Sequence, residues 1–143
     1  MLDTSPLSVS FAIPGRPFAK QRARATRQGR VYTPKETVRF EQVVSQIGIE
    51  HFSAPFAGPL RLTIIATFAP APSWSRKKRD ATLGTYHIQK PDTDNLVKAV
   101  SDGLNRIAWG DDSQIAELVA RKQWGTEDGT LVIVEALTTI MRG

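Results

Sequence analysis

The run Leu60–Phe68 places the strongest restriction on how this chain can fold. Its nine residues carry apolar side chains at adjacent positions, Ile64 and Ile65, so both of its faces need cover and it must lie inside a sheet rather than at an edge. Pro70 and Pro72 close it. Around this strand, Leu7, Val9, Phe11 and Ile13 alternate with small or polar residues as a half-buried strand does, and Pro14-Gly15 ends them. Ile115–Trp124 and Leu131–Leu137 read as two more strands, joined as a hairpin across Gly125-Thr126-Glu127-Asp128-Gly129.

Two helices stand between the strands. Thr33 as N-cap, Pro34 at the first helical position and Glu36 behind it predict a capping box. Phe40, Val43, Val44 and Ile47 follow as one apolar stripe. The second helix is predicted from about Thr93 to Ile107, with Leu96, Ala99, Val100, Gly103, Leu104 and Ile107 on one side and Asp94, Lys98, Asp102 and Asn105 on the other. Residues 16–32 and 70–91 show no periodicity and read as a basic arm and a long basic connection. The order β-α-β-α-β-β predicts an α/β fold, a mixed sheet packed against two main helices, in one domain spanning 1–143.

Composition narrows the chemistry. The absence of cysteine excludes disulfides, Cys-ligated zinc and thiol nucleophiles. No stretch nears the roughly 20 apolar residues of a membrane span, and no signal-peptide pattern is present, so a soluble intracellular protein is expected. The net charge of +5 is unevenly spread. Arg16, Lys20, Arg22, Arg24, Arg27 and Arg30 form one acid-free basic segment; Arg76, Lys77, Lys78 and Arg79, with Lys90 beyond, form a second. Five aspartates fall between Asp92 and Asp112. Basic flanks around an acidic focus suit a polyanion held against a metal site, although solvated loops also collect charge.

Asp92 and Asp94 alternate where the chain enters the second helix, so their carboxylates can converge, and Asp111 and Asp112 follow that helix. A helix returning antiparallel to a strand could bring the two places together. Gathered carboxylates suit Mg²⁺, which would activate water and neutralise a phosphodiester under attack. Lys98, one turn after Asp94, could neutralise phosphoryl oxygens, and Lys90 could hold a flanking phosphate. Each aspartate taken singly is equally explicable as a cap, an ion pair or a turn. His51 and His87 make no triad or zinc site and read as structural or surface residues. Trp74 reads as locally packed, and Trp109 and Trp124 as core or interface residues.

The string Lys90-Pro91-Asp92-Thr93-Asp94-Asn95-Leu96-Val97-Lys98 and onward to Asn105, followed by Trp109-Gly110-Asp111-Asp112-Ser113-Gln114, closely resembles the RusA family of Holliday junction resolvases. Gly15-Arg16-Pro17 and Lys20-Gln21-Arg22-Ala23-Arg24 resemble that family's N-terminal segment. The resemblance implies a homodimeric, Mg²⁺-dependent endonuclease, with Mn²⁺ able to substitute, that cuts four-way DNA junctions by paired nicks. It further implies Asp92, Asp94 and Asp112 as the metal-binding catalytic carboxylates, with Asp111 sharing or replacing the third, and Lys98 as the catalytic lysine. Asn95 and Asp102 match as supports. A cytoplasmic, nucleoid-associated enzyme is expected, of a kind often carried by phages or prophages. A non-catalytic branched-DNA-binding module and a nuclease acting on flaps are the alternatives.

Overall fold

A computed structural model describes residues 7–138. The element order is β1 (Ser8–Pro14), β2 (Arg24–Ala25), β3 (Val31–Tyr32), α1 (Lys35–His51), β4 (Leu60–Phe68), α2 (Arg76–Thr82), α3 (Thr93–Leu104), β5 (Ile115–Trp124) and β6 (Gly129–Ala136), with a 3₁₀ turn at Asp112–Gln114 before β5. The main sheet runs β1-β6-β4-β5. β6 is antiparallel to both of its neighbours, and β4 and β5 are parallel. This is the expected α/β domain with a mixed sheet, and β4 lies inside it as its two apolar faces require. Among the described residues, no helix is long and apolar enough to cross a membrane.

One face of the sheet carries the core. Leu60, Leu62, Ile64, Ala66 and Phe68 alternate inward from β4, joined by Phe11 and Ile13 of β1 and by Val132 and Val134 of β6. Against them pack Val44 of α1 and Leu96, Ala99, Val100 and Leu104 of α3. The helices cross closely at Gly103, where a methyl group would stand 2.7 Å from Val44 Cβ. Ser45 Oγ donates to Gly103 O at 2.7 Å across the same crossing.

Several expectations change. The hairpin expected across residues 125–129 does not form: β5 and β6 are not neighbours, because β4 takes the place between them and pairs parallel with β5 and antiparallel with β6. α1 begins at Lys35 with Pro34 itself as N-cap, a residue with no side-chain acceptor, so the box expected between Thr33 and Glu36 does not form. α3 ends at Leu104 rather than Ile107, because Arg106 adopts φ 72°, which cannot continue a right-handed helix, and donates its backbone N–H to Trp109 O at 2.7 Å. The 70–91 connection contains α2, capped by Ser75 accepting from Lys78 N. None of its residues is buried, so it offers no apolar stripe to read. The basic arm folds back on itself through the β2–β3 pair.

Candidate active site

The parallel pair β4–β5 determines where a site can form, because loops gathered at the carboxyl ends of parallel strands build the usual binding crevice of an open α/β sheet. Phe68 and Trp124 end these strands in register. His87 stacks on Phe68 with ring centroids 4.0 Å apart and lies 4.5 Å from Trp124, which also meets Trp74 at 5.1 Å. His87 is 2% exposed and neither ring nitrogen has a hydrogen-bond partner. Burial first, then the charges of Lys122 and Arg16, hold its pKa below the usual histidine value. It is therefore a neutral core group, not a DNA contact.

Beside this aromatic floor opens a cleft of ≈ 430 Å³ lined by Arg16, Lys90, Pro91, Asp92 and Asn95. Arg16 lies over the Phe68 ring at 5.2 Å and 4.0 Å from Asp128, whose carboxylate also accepts from Ala69 N at 2.8 Å. Lys20 N donates to Asn95 O at 2.9 Å, fastening the arm to the first turn of α3. From the other side, Lys122 of β5 donates to the carbonyls of Gln89 and Pro91, the latter at 2.8 Å. The turn bearing Asp92 is thus held from both sides.

Asp92 is the N-cap of α3 yet makes no side-chain capping bond, and Asp94 stands in the first turn; both are exposed. Both stand at the head of α3, and exposed Lys98 lies one turn after Asp94 on its face. Asp111 and Asp112 are not brought to them. They precede β5, while Pro91 is tied to Lys122 near the end of that strand. The twelve residues of α3, a helix roughly 18 Å long, lie between the two places. Antiparallel return of the helix keeps the groups apart instead of joining them. Among the described residues, no group of three His, Asp or Glu side chains gathers closely enough to hold a metal ion.

The distant pair has local partners. Asp111 caps the 3₁₀ turn, its carboxylate accepting from Ser113 N at 3.0 Å and from the Ser113 hydroxyl. Those bonds, the hydroxyl's first, hold its pKa below the ordinary aspartate value. Gln114 reciprocates at Gly110 N and Asp111 N, completing a capping box. Asp112 Oδ1 accepts the buried Trp109 indole N–H at 2.7 Å.

The basic residues divide. Arg22, Arg24, Arg27 and Arg30 on the arm, and Arg76, Lys77 and Arg79 on α2, are exposed and form no ion pair with any described residue. Lys78 lies over Trp74 at 4.0 Å. Lys20 departs from the DNA-binding expectation. Its ammonium sits between Glu41 and Asp102 (2.9 Å to the latter), joining α1 to α3. Burial works to lower its pKa, but the hydrogen bonds and charges of the two carboxylates outweigh that and raise it. Asp102 thus helps hold Lys20 against α3. Lys122 carried no sequence signal, being one polar residue in an alternating strand. Gln114 did carry one: Asp111 followed three residues later by Gln is the capping-box spacing.

Residues 14–135 match the family model described as Endodeoxyribonuclease RusA. The chain belongs to that family. It is accordingly an endodeoxyribonuclease of a family of nucleases that resolve Holliday junctions, and branched junction DNA is the family's substrate class. It is also similar to a Bacillus subtilis (strain 168) protein described as uncharacterized protein YqaN. The two are 31% identical over 139 residues, covering 91% of this chain and 97% of that one.

Proposed function

We propose that the chain works as a homodimeric, Mg²⁺-dependent nuclease resolving four-way junctions by paired nicks, with Asp92, Asp94 and Lys98 as its reacting groups. The observation that carries this reading is the pair of exposed carboxylates at the head of α3, beside a cleft that also presents Arg16 and Lys90. Two carboxylates with water completing the shell are a fitting donor set for Mg²⁺. Bound there, the ion would activate water and neutralise growing phosphoryl charge, and Mn²⁺ would serve the same donors.

The chain's own groups supply the rest. Arg16 and Lys90 bind phosphates flanking the scissile bond, and the arginines of the arm and of α2 extend that contact, which makes binding steeply salt-dependent. Lys98 stabilises charge on the phosphoryl or leaving oxygen. Asp111 and Asp112, at the far end of α3, can add a third carboxylate only from a second copy of the chain. Such a copy would also give the two-fold symmetry that paired nicks across a four-way junction need. The enzyme would act in the cytoplasm at the nucleoid, where its substrate lies, and a phage or prophage origin suits a resolvase of this size.

The test is cleavage of four-way junctions, flaps and linear duplex, with and without Mg²⁺. Asp92→Asn and Asp94→Asn are each expected to abolish junction cleavage while binding persists or tightens. Lys98→Ala should slow cleavage by about 10²–10³-fold. Retained cleavage by either aspartate variant overturns the assignment, and a preference for flaps over junctions overturns the substrate.

A further inference from the structure

Strand β5 is an edge of the sheet whose residues 116–121 are exposed on both faces, Leu118 by 52% and Val119 by 44%. Tyr86 and Ile88, exposed by 70% and 90%, belong to the segment beside the last residues of this strand, where Tyr86 bridges Gln123. Long exposed apolar edges invite another strand and are normally blunted. This one is blunted only in part. Gly84 N donates to Trp124 O, Trp124 N to Thr85 O, and His87 N to Lys122 O, so residues 84–87 cover the edge from Lys122 onward. At the opposite end, the register against β4 slips at Ala116, as Leu60 pairs Ile115 but Arg61 pairs Glu117.

Between the bulge and the cover lies Glu117-Leu118-Val119-Ala120-Arg121. Because Lys122 and Trp124 direct their backbone groups away from β4, strand alternation gives the same outward direction to Leu118 and Ala120. Among the described residues no strand pairs with them on that outward side; their β4 partners lie on the other. The five residues are symmetric about Val119, with an acid two positions before it and a base two positions after.

We propose that β5 pairs antiparallel with β5 of a second copy about a two-fold axis at Val119, making one continuous eight-stranded sheet. The inference rests on the homodimer reading above and names its interface. Leu118 and Ala120 exchange backbone hydrogen bonds with the partner's Ala120 and Leu118. Val119 meets its counterpart as a close, non-hydrogen-bonded pair, with Cα atoms about 4.5 Å apart. Glu117 faces the partner's Arg121, and the reverse contact repeats it. Glu117 already takes Arg61 at 2.9 Å through Oε2, which leaves Oε1 for the second guanidinium. A self-complementary patch of this kind closes as an isologous dimer.

The chain has no cysteine, so one introduced thiol is a clean probe. Val119→Cys should form a disulfide-linked dimer under mild oxidation, since the expected Cα separation lies within the bridgeable 4.4–6.8 Å, roughly. Ser10→Cys on β1 should not. In sedimentation equilibrium, Arg121→Glu and Glu117→Arg should each weaken the dimer on the order of tenfold, because two facing pairs become like-charged. An equimolar mixture of the two variants should restore the dimer, since both facing pairs are again opposite in charge. A wild-type chain that sediments as a monomer at micromolar concentration overturns both the homodimer reading and this interface. A dimeric wild type with no Val119→Cys cross-link and no effect of either charge variant overturns the interface alone.

Discussion

Replacing Gly103 by alanine tests the helix crossing that carries the candidate site. The added methyl would lie 2.7 Å from Val44 Cβ, 2.8 Å from Val44 Cγ1 and 3.2 Å from Glu41 O. Carbon atoms pack at about 3.5–4.0 Å. A Cβ cannot rotate away, so α1 and α3 must part by about 1 Å, lengthening the Ser45–Gly103 hydrogen bond. Alanine gains about 1 kcal/mol over glycine inside a helix, whereas overpacking costs about 1–3 kcal/mol. With Val44 fully buried and its Cβ the nearest atom, the upper end of that cost applies. The net loss is then about 1–2 kcal/mol, or some 3–6 °C in Tm for a domain of this size, roughly. Thermal unfolding followed by circular dichroism measures it. Because Asp94 and Lys98 ride on the displaced helix, junction cleavage well below Tm should also slow. An unchanged or raised Tm would refute the close-crossing argument.

Two further predictions concern charge. His87 has a folded-state pKa below its unfolded value of about 6.5. Its neutral form therefore supports the fold above about pH 6.5, and that support is lost as pH falls toward the folded pKa. His87→Phe removes two unsatisfied buried nitrogens and should stabilise by about 1 kcal/mol at neutral pH, and by more at pH 5. Urea midpoints of both proteins between pH 5 and 7 check this, and a constant difference between them would count against it. Lys20→Met, which leaves Glu41 and Asp102 facing each other, should cost about 1 kcal/mol of stability. The same variant should leave the salt slope of junction binding unchanged, whereas loss of an arm arginine that touches phosphate should flatten the slope by about 0.9. A flattened slope for Lys20→Met would return that residue to the DNA surface.

The strands were legible from their apolar patterns, and the interior place of β4 followed from Ile64 beside Ile65, but their order was not: the short connection after β5 reads as a hairpin, yet β4 lies between β5 and β6. α2 was not legible, since a seven-residue helix with nothing buried leaves no periodic trace. The same capping-box spacing occurs at Thr33–Glu36, where no box forms, and at Asp111–Gln114, where one does. What decides between them is whether the backbone turns helical there, and a Pro34 N-cap with no side-chain acceptor removes the bond in the first case. Asp92, Asp94 and Lys98 were visible as a group because helical spacing alone relates them. The distance from them to Asp112 was not visible, because it depends on which end of β5 the chain enters. Lys20 looked like the other basic residues of the arm, and only the approach of α1 and α3 reveals its two carboxylate partners.

The two bonds from Lys122 to the carbonyls of Gln89 and Pro91 have a bearing on how loss-of-function maps of this chain would read. Lys122 lies on a strand, outside the D-x-D-N run, and touches the turn only through backbone oxygens. A screen scoring cleavage should nevertheless find it sensitive, since among the described residues it is the β5 side chain that ties down one side of that turn, the arm holding the other through Lys20 N. Sensitivity at that position would trace the mooring of the proposed reacting group, not the reaction.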